Sequence, residues 1–197
     1  MLTVQPVTLP GRIVRLAPLE LNHVPDLAAA GNDESIWKYM RYGAVTTEPE
    51  MRRFVTNLLA MQARGTDLPF AVIHLDSQRA VGMTRYMNIE PANHALEIGG
   101  TWYSPAFQRT GVNTECKFLL LQHAFEGLDC VRVQIKTDLR NERSQRAIER
   151  IGAIREGVLR DHMVLPDGTL RSSVFYSVLA REWSEVKQRL LNLMNHS

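Results

Sequence analysis

The stretch ALEIGGTWYSPAFQRTGVNT, residues 95–114, decides how this chain folds. Ala95–Tyr103 ends in Thr-Trp-Tyr and has the β-branched and aromatic content of a strand. Thr114 to Leu128 is apolar on most sides and reads as a buried helix. Between them lies Gln108-Arg109-Thr110-Gly111-Val112-Asn113-Thr114. A turn that follows a strand and opens a helix presents unpaired N–H groups at the positive end of the helix dipole. That arrangement holds a phosphate or pyrophosphate. Gly111 permits close backbone approach or a positive φ. Thr114 adds a hydroxyl and Arg109 a charge. An ordinary strand-to-helix turn is the alternative. The run is neither G-x-x-x-x-G-K-[ST] nor G-x-G-x-x-G, so a nucleotide triphosphatase or a dinucleotide fingerprint is not supported.

Working outward, Arg12–Leu16, Phe70–Leu75, Ala80–Ile89 and Val131–Thr137 read as further strands. A hairpin is expected near Ile154–Leu165 and Leu170–Leu179, turned at Asp167-Gly168. His23–Ala30, Pro49–Arg64, Asn141–Ile151 and Glu182–Met194 read as helices. Pro49 is expected at a first helical position. Trp183, Val186, Leu190 and Met194 form one apolar stripe on the last helix. Consecutive strands predict antiparallel pairing, and strand–helix–strand over residues 95–137 predicts a parallel crossover. The expected fold class is mixed α/β (α+β), one domain with a central, mostly antiparallel twisted sheet flanked by helices. Its bounds are residues 11–181, with 182–197 as a C-terminal helix on the same domain.

At 197 residues the chain suits one domain, and 45% hydrophobic against 22% charged residues is ordinary globular usage. No stretch approaches the roughly 18 apolar residues of a membrane helix. Met1–Pro10 lacks the pattern of a signal peptide, so a cytoplasmic location without membrane association is expected. A net charge of +2, with a mild basic cluster from Arg132 to Arg160, fits an anionic small molecule better than a nucleic acid. Cys116 and Cys130 sit among apolar residues and read as reduced core thiols, with neither a disulfide framework nor a metal site.

The strand, the Gln/Arg-x-x-Gly-x-Gly/Ala turn and the helix resemble the acyl-CoA cradle of the GNAT N-acetyltransferases. Gln108, Gly111 and Asn113 stand at its marked positions, Asn113 in place of the usual Gly or Ala. Asn tolerates unusual backbone angles and can cap a helix. Asn141-Glu142-Arg143-Ser144, Gly152-Ala153 and Glu156-Gly157 resemble the C-terminal half of the RimJ/RimL-like branch. The resemblance covers roughly residues 11–181. It implies a V-shaped splay between the two central strands, with pantetheine between them along the backbone of Thr101, Trp102 and Tyr103. It implies acetyl-CoA as co-substrate, cradled by Gln108, Arg109, Thr110, Gly111, Val112, Asn113 and Thr114 with help from Asn141, and no metal. It also makes a homodimer or higher homo-oligomer a reasonable expectation.

The implied reaction moves an acetyl group to a primary amine of a small molecule or of a protein N-terminus. A non-catalytic acyl-CoA sensor or scaffold of the same fold is the alternative. Ser144 matches the family's proton donor to the leaving thiolate. The stripe Ser144, Ala147, Ile148, Ile151 independently turns it inward, and a small core residue is its structural alternative. Glu97 precedes Thr101 by four residues, the spacing of the base in histone-acetylating relatives; a water relay or a salt-bridged strand residue is the alternative. Deprotonating a lysine at pH 7 costs about 4.6 kcal/mol and an α-amine about 1.4 kcal/mol, which favours amines of low pKa where no strong base is evident. Acceptor contacts are expected from Tyr39, Met40 and Tyr42, with Trp37 leaning to the core. Glu156, Arg160, Asp161 and His162 are expected on the far side.

Overall fold

In a computed structural model, which describes residues 2–195, the first elements are β1 (Leu9–Pro10), β2 (Val14–Pro18), α1 (Val24–Ala30) and α2 (Glu48–Ala63). They are followed by β3 (Asp67–His74), β4 (Arg79–Glu90), β5 (Ala95–Tyr103) and α3 (Gly111–Gln122). The chain closes with β6 (Arg132–Asp138), α4 (Glu142–Arg150), β7 (Ile154–Val164), β8 (Leu170–Leu179) and α5 (Trp183–Asn195). Met1 and positions 196–197 of the expected C-terminal helix lie outside the described residues.

The strands form one sheet in the order β1-β2-β3-β4-β5-β6-β8-β7. Every pairing is antiparallel except that of β5 with β6. This is the expected mixed, mostly antiparallel sheet. The two-residue β1 was not foreseen, being too short for any alternation. α3 begins at Gly111, earlier than the apolar run indicates, and ends in a π-helical turn over His123–Gly127. Pro49 follows Glu48 into α2, whose N-terminus carries a reciprocal Thr47–Glu50 capping box.

Each face of the sheet has its own core. Leu27, Met51, Val55 and Leu58 from α1 and α2 pack with Met83 and Trp102 on one side. On the other, Val112, Cys116 and Leu120 of α3 and Trp183, Val186 and Leu190 of α5 pack on Phe70, Tyr86, Ile98 and Val133. Full burial of one such large apolar side chain contributes about 1.5–3 kcal/mol. Both cysteines are buried and free. Burial pushes the Cys116 thiol up to about 12 and the Cys130 thiol to about 11.

α3 is further fixed by a charge. The buried Glu115 carboxylate accepts the N–H groups of Arg12, Ile13 and Val14 at 2.7, 2.7 and 2.8 Å. These bonds satisfy an anion that burial alone would reject. They also pin α3 to the start of β2, and so orient the end of α3 that faces the site.

Candidate active site

The parallel ladder between β5 and β6 runs only from Ala95–Arg132 to Glu97–Gln134. Beyond it the two strands part, giving the V-shaped splay. On the β4 side of β5, Thr84 alone faces Gly100 and Thr101, because the register jumps between Met83–Trp102 and Arg85–Gly99. This bulge depends on Gly100, whose φ is +57°. A Cβ there would also stand 2.8 Å from Arg85 Nε. Arg85 is buried beneath the bulge, bonded to the Tyr42 hydroxyl and 3.2 Å from Asp67. The latter is an ionic contact off hydrogen-bond angle, since Asp67 Oδ1 and Arg85 Nε have no hydrogen-bond partner.

The splay opens into a cavity of about 620 Å³. Its lining includes Glu97, Thr101, Trp102, Tyr103, Gln108, Arg109, Thr110, Gly111, Asn113, Asn141 and Ser144, so the structure brings these expected site residues together. Val112 and Thr114 are exceptions: both are buried in the protein, and the Thr114 hydroxyl accepts from Arg150 Nη2 at 2.7 Å. Thr114 falls on the buried side of α3, so its hydroxyl is not presented to a phosphate.

The turn before α3 is capped by Thr110, not by Asn113. Its hydroxyl donates to Phe107 O at 2.8 Å and accepts from Val112 N–H at 3.3 Å. The positive φ falls on Arg109, at +62°, while Gly111 is the first helical residue. A non-glycine residue in that region is uncommon and persists where its surroundings over-determine it. Gln108 bridges the splay: its Nε2 donates to Tyr103 O at 3.1 Å, and its Oε1 accepts from Arg143 Nη1 at 2.7 Å. Asn113 Oδ1 accepts from the Tyr103 hydroxyl at 3.3 Å.

Sequence reading missed the basic face of α4. Arg143, Arg146 and Arg150 all line the cavity. Their spacing of i, i+3, i+7 places them on one helix face, a signal that was present in the sequence. The same helix carries Ser144, half-buried, whose N–H is capped by Asn141 Oδ1 at 3.1 Å.

Lys117 was also missed. It is buried on α3, lines the cavity and donates to Thr101 Oγ1 at 2.9 Å. Burial pulls its ammonium down to about 8. Thr101 Oγ1 lies in turn 2.8 Å from Thr84 Oγ1.

Glu97 is buried, and three donors converge on its Oε2: Asn88 Nδ2 at 2.8 Å, Gln134 Nε2 at 2.9 Å and Lys136 Nζ at 2.9 Å. Its Oε1 lies against Gly99. The aromatic segment divides as expected. Trp37 is core, donating Nε1–H to Gly31 O at 2.8 Å, while Tyr39, Met40 and Tyr42 line the cavity. On the far side Met163 and Arg171 line it in place of the expected four residues. Glu156 is turned away by Arg132 and Ser177, which hold its carboxyl down at about 2. His162 is engaged by the Ser173 hydroxyl at 3.0 Å and lies edge-on to Phe175. Arg160 and Asp161 do not line the cavity.

A sheet split at one parallel pair, with a helix N-terminus and arginines beside the split, is the framework of an acyl-group transferase. Residues 14–154 match the acetyltransferase (GNAT) domain, and the chain belongs to that family. YdaF of Bacillus subtilis (strain 168) is 37% identical over 106 residues, which are 54% of this chain and 57% of YdaF. The matched region thus spans little more than half of that relative. A crystal structure of a GCN5-related N-acetyltransferase from Brucella melitensis is 31% identical, with a TM-score of 0.90 over 97% of this chain and 86% of that one. RimL, a ribosomal alpha-N-protein acetyltransferase in complex with coenzyme A, shares the fold at 23% identity, with a TM-score of 0.74 over 88% of this chain and 98% of its own. No described helix is long and apolar enough to cross a membrane.

Proposed function

We propose that this enzyme moves the acetyl group of acetyl-coenzyme A directly onto a primary amine, either a protein N-terminal α-amine or a small-molecule amine. The observation that carries this reading is the early end of the β5–β6 ladder at Glu97–Gln134, which leaves β5 edge groups free beside the cavity. An extended pantetheine arm completes such an edge by pairing with the backbone of Thr101–Tyr103. The start of α3 then takes the diphosphate, through the Gln108–Asn113 backbone and Arg109. Arg143, Arg146 and Arg150 supply positive charge for a ligand that carries three phosphate groups.

The amine nitrogen forms the new C–N bond as the C–S bond breaks. Ser144 passes its hydroxyl proton to the departing thiolate while taking one from solvent, which restores the hydroxyl, and Asn141 positions Ser144 by capping α4. The amine's proton leaves through Glu97 Oε1, or through a water it orders, because Oε2 is occupied by its three donors. Sites of this design favour amines whose neutral form is cheap at pH 7.

The test is thiol release from acetyl-CoA with a panel of α-amines, polyamines and lysine peptides. Release with at least one amine, reduced by Ser144→Ala about tenfold or more in kcat with little change in coenzyme affinity, is the expected result. Tight coenzyme binding without release with any amine would favour a sensor.

A further inference from the structure

The acceptor half of the cavity contains a buried cation that no carboxylate among the described residues pairs with directly. Arg171 on β8 is only 7% exposed and lines the cavity. Its Nε donates to Ser173 Oγ at 3.2 Å and its Nη1 to Tyr39 O at 3.2 Å, both neutral acceptors. Among the described residues no carboxylate stands within ion-pair distance of it. The acids that influence it from farther off are already engaged: Asp138 by Arg140 at 2.7 Å, and Glu97 by Lys136 at 2.9 Å. Arg41 and Lys136 line the same half, so the chamber is positive overall. A buried guanidinium without a counter-ion is costly, and the cost is relieved when a ligand brings an anion to it. Guanidinium also matches a carboxylate in geometry, two N–H groups to two oxygens.

We propose that Arg171 receives a carboxylate of the acceptor, so that the substrates of this enzyme are amines carrying an anionic group close to the amine. The proposal rests on the acetyl-transfer reading above and narrows it. The carboxylate comes either from a free amino acid or from an acidic residue beside a peptide N-terminus. Arg171 is an acceptor-binding residue in this account, and the Tyr39 carbonyl holds its fork in place.

The test compares two matched pairs of acceptors: Ser-Asp-Ala-Ala amide with Ser-Asn-Ala-Ala amide, and serine with serinamide. kcat/KM, referred to the concentration of neutral amine in each acceptor, is measured with the wild type, Arg171→Gln and Arg171→Lys, and acetyl-CoA affinity is measured calorimetrically in parallel. The wild type is expected to favour the anionic member of one pair by about tenfold or more, as for a charged hydrogen-bond contact. The pair in which this occurs identifies the source of the carboxylate. Arg171→Gln should bring that ratio close to one, and Arg171→Lys, which keeps the charge without the fork, should leave it in between. A wild type that acetylates both members of both pairs equally overturns the proposal but leaves acetyl transfer intact. So does an Arg171→Gln enzyme that keeps the wild-type ratio. No thiol release with any of the four, by an enzyme that binds acetyl-CoA, overturns the proposal, and acetyl transfer itself falls only if the wider amine panel is silent too.

Discussion

The two halves of the cavity are built by different means. At the α3 end, Gln108–Asn113 is one continuous segment, and three basic side chains beside Arg109 come from one face of α4. At the acceptor end, the lining is gathered from the Tyr39–Tyr42 segment, Glu97 on β5, Lys136 on β6 and Arg171 on β8. The first half offers backbone amides and exposed charge, which suit a ligand part that never changes. The second offers buried, individually bonded side chains, which can be altered one by one to suit a different amine. Under the proposed function, the first half is the coenzyme's and the second is the acceptor's.

The largest expected effect breaks the α3 end alone. Arg143→Ala with Arg146→Ala should weaken coenzyme A binding about thirtyfold, at roughly 1 kcal/mol per partly exposed charge. Calorimetry as a function of salt checks it, because the wild-type affinity should fall with ionic strength more steeply than that of the double variant. An equal loss of acceptor affinity would show that the two halves are not separate.

The next effect concerns the boundary between the halves, where Lys117 supports Thr101. Its ammonium is depressed from 10.5 to about 8 by burial, so between those values the unfolded chain binds more protons than the folded one. Stability therefore rises with pH across that window, and below about pH 8 the full cost of burying the charge is present. Lys117→Met should accordingly be the more stable protein at pH 7, on the order of 2 kcal/mol after loss of the hydrogen bond to Thr101. Its advantage should shrink from pH 8 towards 10.5. Denaturant titrations at pH 7 and 9.5 measure this, and a pH-independent difference would remove the cation from the account.

Legibility in the sequence follows the same division. Strands β5 and β8 match their expected limits, because alternation and a tight turn are local signals. The Gln108–Asn113 segment was legible as a turn between a strand and a helix. Thr114 was misplaced because the start of α3 sets which residues face inward, and that start was read too late. The α4 arginines were legible by spacing but hidden among the polar residues of an exposed helix. Arg171 was not legible, since its burial depends on Tyr39, 132 residues away. Glu97 could be named, but its three donors come from β4 and β6 and exist only once the sheet has formed.

Amide-resolved NMR during a coenzyme A titration tests the central claim most directly. The account predicts saturable shifts concentrated at the amides of residues 109–113 and 101–103. Saturable binding that leaves those amides unmoved and shifts another part of the molecule would contradict it.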